Sequence, residues 1–257
     1  MCTEEFERCD ERVVVIVGPT GSGKTGLSIE LAKWVKGELD REVEIISADS
    51  RAIYKGMDIG TAKPSIAEMG GVKHWGLDLV QVSTKFNVFD FKKYTEEKIR
   101  EIKNRGNIPM IVGGTGLYVD AVVYDYSFEA DAKKMCSDRK KMITKFMIFG
   151  IKWESEELRE RLRKRLSTIF TQDLESETKK LVEKYGWGYA AMTGNIYKYV
   201  WGYMNGAYSR EEAFEMALLA DYHLAKRQMT WFRKEKGYIT YNLSEKSQEK
   251  TIEEILK

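Results

Sequence analysis

The stretch Arg12-Val-Val-Val-Ile-Val17-Gly18-Pro-Thr-Gly-Ser-Gly-Lys24-Thr25 decides the fold of this chain. Residues 12–17 form a short β-branched run, which is typical of a buried parallel strand. The next eight residues match Gly-x-x-x-x-Gly-Lys-[Ser/Thr] completely, and residues 24–36 carry apolar side chains at a helical spacing. The order strand, loop, helix therefore predicts a phosphate-binding loop (P-loop).

This loop identifies a ligand that carries a diphosphate group. The glycines let backbone amides turn toward phosphate oxygens, Lys24 supplies a positive charge, and the Thr25 hydroxyl can ligate Mg²⁺. The candidate diphosphate-binding residues in the loop are Gly18, Pro19, Thr20, Gly21, Ser22, Gly23, Lys24 and Thr25. The loop does not identify the chemistry, because the same cradle serves kinases, ATPases and transferases with a diphosphate leaving group.

The rest of the chain predicts a parallel α/β sheet. Further strands are expected at residues 43–47, 77–80, 108–112 and 145–153, with helices at 90–103 and 154–170. The sequence then reads as helices at 174–185, 196–204 and 210–233 and a short strand at 238–242. We expect a P-loop NTPase-like α/β core at 1–123, a short connection at 124–144, and a mostly helical remainder of the core at 145–257.

Composition indicates a globular protein of the reducing cytosol. The 42 basic and 40 acidic residues nearly cancel, so overall charge alone does not favour a polyanionic partner. A local excess exists at 131–166, with twelve Lys or Arg against six Asp or Glu, although a solvated helix face also explains such a run. Three scattered cysteines favour neither a disulfide framework nor a zinc site, and no apolar run approaches a membrane span. We therefore expect a cytoplasmic protein without a membrane partner.

Three further blocks follow the loop in order along the chain. They are Ile46-Ser-Ala-Asp49-Ser-Arg-Ala-Ile-Tyr54-Lys-Gly-Met-Asp-Ile-Gly-Thr-Ala-Lys63-Pro64, Ile111-Val-Gly-Gly-Thr115-Gly-Leu-Tyr118 and Ala225-Lys-Arg227-Gln-Met-Thr-Trp-Phe-Arg233. Together with the loop, they resemble the tRNA dimethylallyltransferase family. The first block follows a predicted strand, where ligand crevices of α/β sheets open.

The resemblance implies a reaction and a set of site residues. It implies transfer of a dimethylallyl group from dimethylallyl diphosphate to the N6 amine of adenine 37, next to the anticodon of tRNA. The phosphate-binding loop itself indicates Mg²⁺ at Thr25, and the small size of the chain makes a monomer the simplest expectation. Asp49 is then the proton acceptor, Lys24 and Thr115 are further catalytic residues, and Arg227 contacts diphosphate. The implied tRNA contacts are Asp49, Ser50, Arg51, Ala52, Tyr54, Lys63, Arg161 and Arg165.

Structural explanations stay open for several of these residues. Asp49 also suits an N-cap or a turn, and Gly113-Gly-Thr-Gly116 also suits a tight strand-to-helix turn. The other possible functions are an adenylate isopentenyltransferase acting on free nucleotide, a P-loop kinase or NTPase, and a catalytically silent RNA-binding protein.

The chain departs from the family pattern in one segment and at three points. Residues 124–144 are expected to be only a remnant of the family's helical insertion, which grips the anticodon stem. Ala52 stands where glutamine is usual, Asp221-Tyr222 replaces a Thr-Arg pair, and residues 196–199 replace a Gly-Tyr-Lys-Glu-like turn. The missing arginine at position 222 would have placed a cation near the diphosphate. Its absence implies either a reduced activity or a substitution of that cation by Arg227.

Overall fold

A six-stranded, entirely parallel sheet forms the centre of the protein. The computed structural model describes residues 12–128, 135–136, 146–194, 196–233, 239–243 and 250–251. Its strands lie in the order β3-β2-β4-β1-β7-β8, and every neighbouring pair is parallel. They are β1 (Val13–Val17), β2 (Val43–Ser47), β3 (Lys73–Trp75), β4 (Ile108–Gly113), β7 (Phe146–Lys152) and β8 (Ile239–Asn242). A short antiparallel pair, β5 (Ser127–Phe128) with β6 (Met135–Cys136), lies outside this sheet.

Nine helices are found in the described residues. They are α1 (Lys24–Leu39), α2 (Ile66–Met69), α3 (Val88–Asn104), α4 (Gly116–Val123), α5 (Ser155–Ile169), α6 (Gln172–Tyr185), α7 (Ala190–Thr193), α8 (Ile196–Met204) and α9 (Arg210–Arg233). None of the helices in this part of the chain is long and apolar enough to cross a membrane.

Alternation along the central strand divides the core into two layers. Val14 and Ile16 pack with residues of α1 on one face of the sheet, whereas Val13, Val15 and Val17 pack with α3 and α4 on the other. Because both faces are covered, all five residues of β1 are buried, which explains its continuous apolar run.

A third cluster of buried side chains joins the C-terminal helices. Leu158, Leu162 and Leu166 of α5 recur at a helical spacing and pack with residues of α6, α8 and α9. This helical layer also contains Met57 and Val82 from the segment after β2. The packing therefore places the helices beside the carboxyl ends of the strands, where the blocks quoted from the sequence lie.

The predicted fold class, a parallel α/β sheet with a helical C-terminal part, is confirmed, but the strand at 77–80 was wrong. The strand after β2 is Lys73–Trp75, and it ends because Gly76 and Asp78 adopt positive φ angles of 80° and 52°. Val80 forms only an isolated bridge with Tyr54. The expected connection at 124–144 lies largely outside the described residues, and the proposed domain boundaries stay a prediction.

Candidate active site

A cavity of about 560 Å³ opens at the carboxyl ends of β1, β2 and β4. Parallel α/β sheets bind ligands at this edge, because the loops that leave neighbouring strands converge there. Of the residues predicted for the site, ten line the cavity: Thr20, Gly21, Gly23, Lys24, Thr25, Asp49, Ala52, Lys63, Arg161 and Arg165. The others lie outside its lining: Gly18, Pro19, Ser22, Ser50, Arg51, Tyr54, Thr115 and Arg227.

The phosphate-binding loop has the geometry that an anion requires. Gly23 is the N-cap of α1 with φ 89°, a left-handed conformation that favours glycine, and its cap position has no side-chain hydrogen bond. The first turn of α1 contains no acidic residue. The helix therefore presents its first N–H groups and the positive end of its dipole toward the cavity without a competing carboxylate.

Lys24 is the first residue of α1, at the end of this loop. Its ammonium group donates to the carbonyl oxygen of Pro19 at 2.7 Å. Burial lowers the pKa of Lys24 to about 8, while the charge of Asp49 raises it and that of Arg165 lowers it further. A half-buried cation whose pKa is lowered by desolvation favours an anionic ligand beside it, because the ligand restores the electrostatic stabilisation that water would supply.

Asp49 faces the same cavity from the turn that follows β2. Its Oδ1 accepts a hydrogen bond of 2.8 Å from the backbone N–H of Arg51, so the turn role anticipated for this aspartate is real. The same bond fixes the carboxylate, and no hydrogen bond from the described residues reaches Oδ2. The side chain is therefore both a turn residue and a possible proton acceptor.

Thr115 lies behind the cavity, where its hydroxyl joins the ends of β2 and β4. Its Oγ1 accepts from the backbone N–H of Ser50 at 3.0 Å and donates to the Ser50 hydroxyl at 3.3 Å. Gly113-Gly-Thr-Gly116 is thus a tight turn between a strand and a helix, as the sequence suggested. Glycine is required at position 116, because a Cβ there would lie 2.4 Å from the Trp231 ring. A direct contact of Thr115 with diphosphate stays a prediction.

Gln228 is a site residue that was quoted in the third sequence block but not predicted. Its Oε1 accepts from the backbone N–H of Thr20 at 2.8 Å, and its Nε2 donates to the carbonyl oxygen of Gly114 at 2.9 Å. One side chain of α9 therefore ties the phosphate-binding loop to the turn after β4. Sequence order carries no signal for this link, because it joins residues 208 positions apart.

Two arginines that were predicted to contact tRNA lie beside the phosphate-binding loop. Arg161 donates from Nε to the carbonyl oxygen of Gly21 at 3.0 Å, and its guanidinium stacks 4.1 Å above the Trp153 ring. Burial lowers the pKa of Arg161. Arg165, one turn further along α5, lies 3.4 Å from the carboxylate of Asp221. Both cations are thus close enough to the loop to share a bound anion with Lys24.

Other predicted RNA contacts are already bound to the protein. The Lys63 ammonium group donates to the carbonyl oxygen of Tyr54 at 3.0 Å and to the carboxylates of Asp58 and Asp78, so Lys63 has a structural role in this fold. Its expected phosphate contact stays a prediction. Arg51 donates to the carbonyl oxygens of Ala190 and Ala191 in α7 at 3.0 and 3.2 Å. Arg227 is exposed on α9.

A divalent cation fits this donor set only together with a ligand. No cluster of three or more His, Cys, Asp or Glu side chains suited to a metal occurs in the part of the chain that the structure describes. Thr25 is exposed on the first turn of α1 and lines the same cavity as Asp49. A hydroxyl beside a phosphate cradle matches Mg²⁺, which usually keeps waters and binds substrate phosphates with few protein ligands.

Comparisons with known proteins agree with this geometry. The family model described as IPP transferase matches residues 52–142 and 129–235. A tRNA dimethylallyltransferase of Acetivibrio thermocellus is 34% identical over 307 aligned positions, which cover 95% of this chain and 96% of that protein. Because this chain has 257 residues, at least 50 aligned positions (307 minus 257) have no counterpart in it.

Solved structures show the same relationship in three dimensions. A tRNA isopentenylpyrophosphate transferase of Staphylococcus epidermidis superposes with a TM-score of 0.83 at 31% identity, covering 95% of this chain and 97% of the other. The corresponding protein of Bacillus halodurans gives a TM-score of 0.82 at 30% identity and covers 96% and 94%. With the family match and these relatives, this chain belongs to the IPP transferase family.

Proposed function

We propose that this protein transfers a dimethylallyl group from dimethylallyl diphosphate to an adenine of tRNA. The observation that carries the proposal is a single cavity in which a phosphate-binding loop with Lys24 faces the carboxylate of Asp49. An anion site opposite a proton acceptor suits a reaction that releases diphosphate and removes a proton from an amine. The named activity of the relatives supports this choice over a kinase.

The proposed step balances charge across the cavity. The exocyclic N6 of the adenine forms a bond to the allylic carbon, while the bond between that carbon and the diphosphate oxygen breaks. The electron pair leaves with the diphosphate, and the proton of N6 passes to Asp49. Because the Asp49 turn is held by its bond to the Arg51 amide, the acceptor oxygen needs little reorganisation during the reaction.

The leaving diphosphate gains negative charge as the bond breaks, and cations placed beforehand lower the barrier. Lys24 and the first amides of α1 supply this stabilisation at the loop. We assign Arg161 and Arg165 to the same task, since both line the cavity and Arg165 is close enough to affect the pKa of Lys24. Arg165 then supplies the cation that the usual arginine gives where this chain has Tyr222.

Mg²⁺ would be held by the Thr25 hydroxyl together with diphosphate oxygens and water. When bound, such an ion neutralises part of the diphosphate charge and so helps it to leave. The role of Thr25 is to orient the ion at the start of α1, and the chain's own cations complete the anion site.

The tRNA substrate enters from the side of the Asp49–Ala52 turn. An adenine next to the anticodon, at position 37, must leave its stack to reach the cavity, as the targets of other base-modifying enzymes do. We propose that a cytoplasmic monomer carries out this reaction on the anticodon loop.

The direct test is mass analysis of tRNA nucleosides after incubation with dimethylallyl diphosphate, Mg²⁺ and unmodified tRNA. The wild-type protein should add one dimethylallyl group to adenosine, and Asp49→Asn should reduce the rate about 10²- to 10⁴-fold, the usual contribution of a general base. Transfer to AMP alone, or hydrolysis of ATP without prenyl transfer, would show that the proposal is wrong.

Asp40→Asn is a matched control for the Asp49 variant. Asp40 is exposed at the opposite end of α1, with φ 50°, a left-handed conformation that asparagine also accepts. This variant removes one carboxylate at a distance from the cavity and should retain the wild-type rate.

A further inference from the structure

We propose that an exposed aromatic surface between α6 and α8 stacks the bases of the tRNA anticodon loop that flank the target adenine. The surface consists of Tyr185, Trp187, Tyr189 and Trp201. This inference rests on the proposed function and assigns a partner site to residues that the sequence blocks did not include. It also offers a way for the chain to hold RNA although it lacks at least 50 positions of the alignment with the Acetivibrio thermocellus protein.

Two of the four aromatic side chains, Trp187 and Tyr189, are exposed, and each lies against a half-buried ring that holds it in position. Trp187 stacks on Trp201 with ring centroids 5.7 Å apart and an interplanar angle of 21°, yet 38% of Trp187 stays exposed. Tyr189 is 40% exposed and meets Tyr185 edge to face at 6.4 Å. Exposed aromatic clusters mark interaction sites, and rings that are fixed beforehand lose little entropy when a base stacks on them.

The charge around the surface suits RNA. Residues 179–201 contain four lysines and one glutamate, and that glutamate, Glu183, lies 3.9 Å from Lys179. Lys184 and Lys198 are exposed and lie 5.0 and 4.7 Å from the Tyr185 and Tyr199 rings. Proteins that bind single-stranded RNA combine such cations for the backbone with aromatic rings for the bases.

The surface is joined to the Asp49–Ala52 turn, which contributes Asp49 and Ala52 to the cavity. Arg51, two residues after the proposed proton acceptor, binds the carbonyl oxygens of Ala190 and Ala191, and Tyr189 immediately precedes them. Tyr185 is hydrogen-bonded to Gln81, one residue after the bridge between Val80 and Tyr54. A loop whose adenine enters the cavity therefore places its neighbouring bases against this surface.

Geometry favours RNA over a protein partner at this position. A protein docked over the surface would cover the entrance beside Arg51 and block the substrate, whereas the anticodon loop must pass that entrance in each reaction. The glycines at 186 and 188, with φ 74° and 129°, shape the turn that carries Trp187 outward. The turn therefore keeps the Trp187 ring accessible to a partner.

The test compares Trp187→Ala and Tyr189→Ala with the wild-type protein in two assays. Each variant should raise KM for tRNA by about tenfold or more, the effect expected from the loss of one base–ring stack, with kcat and KM for dimethylallyl diphosphate within about twofold. The Kd for a short RNA hairpin with the anticodon loop, measured by fluorescence anisotropy, should rise in parallel. Trp187→Phe retains a ring and should recover most of the affinity.

Leu219→Ala is the matched control, because Leu219 is 53% exposed on α9 and lies outside the aromatic surface. Circular dichroism and thermal melting of each variant identify any loss of folding, and Trp187→Phe keeps the test decisive if an alanine variant does not fold.

The outcomes separate this inference from the proposed function. If the wild-type protein modifies tRNA but both alanine variants keep its KM and Kd, the aromatic surface has no RNA role. If instead sedimentation shows that Trp187→Ala dissociates a dimer without changing RNA affinity, the surface joins two copies and the inference is overturned. If hairpin binding depends on Trp187 but no prenyl group is transferred, the proposed function fails and the RNA surface stands. Wild-type protein that binds no RNA would overturn both.

Discussion

Lys24 is the residue whose environment most directly predicts a pH dependence. Burial holds its pKa at about 8, well below the usual value of a lysine, so the free protein loses this cation as the pH rises through about 8. The pH dependence of kcat/KM reports the pKa values of essential groups in the free protein. We expect kcat/KM for dimethylallyl diphosphate to fall above about pH 8, with a limiting slope near −1 in a plot of its logarithm against pH.

The value of kcat should stay high to a more alkaline pH, because bound diphosphate raises the pKa of Lys24 again. Lys24→Arg separates this explanation from others, since a guanidinium stays protonated throughout the range. The arginine variant will be less active, but its profile should lack the decrease near pH 8. A decrease at the same pH in both proteins would assign the titration to another group.

At the scale of elements, the site depends on single side chains that join distant segments. Gln228 of α9 binds both the Thr20 amide and the Gly114 carbonyl oxygen, so it fixes the spacing between two walls of the cavity. Gln228→Leu removes both bonds and should lower kcat/KM about 10- to 100-fold, because displacement of a site by an ångström has effects of that size. Steady-state kinetics with dimethylallyl diphosphate as the varied substrate measures the loss.

Thr230→Val is the control on the same helix, because the Lys226 carbonyl oxygen of α9 is the one partner of the Thr230 hydroxyl among the described residues. It should be nearly neutral. Unchanged kinetics in Gln228→Leu would mean that the loop keeps its position without this link.

The sequence predicts those elements whose signals are local and misses those set by packing. The strand, loop and helix at 12–36 were predicted because the glycines, Lys24 and the β-branched run are adjacent. Helix α4 was missed because six of its eight residues are buried, so no polar face produces a helical period. The roles of Lys63 and Arg161 were not predictable either, since both depend on partners that the fold brings together.

At the scale of the molecule, the helical layer and the sheet are joined by polar contacts at the mouth of the cavity. Glu177 of α6 accepts hydrogen bonds from the amides of Asp58, Ile59 and Gly60, at 3.0, 2.9 and 3.1 Å, and from the Tyr197 hydroxyl at 2.6 Å. Burial raises the pKa of Tyr197, which keeps its proton available for this bond. The segment after β2 is therefore fixed by the same helices that carry the aromatic surface.

This arrangement predicts which part of a tRNA the protein contacts. The relative from Acetivibrio thermocellus aligns with at least 50 positions that this chain lacks, and we expect the family's stem-gripping insertion to lie among them. The RNA contacts that we propose, at the Asp49–Ala52 turn and the aromatic surface, would reach the anticodon loop but not the stem. We therefore expect kcat/KM for a short anticodon hairpin to lie within about threefold of that for full-length tRNA, since each lost phosphate contact otherwise weakens binding. Parallel kinetics at one salt concentration provides the measurement, with a hairpin of altered loop sequence as the control. A preference of about 100-fold for full-length tRNA would show that another part of the chain grips the stem.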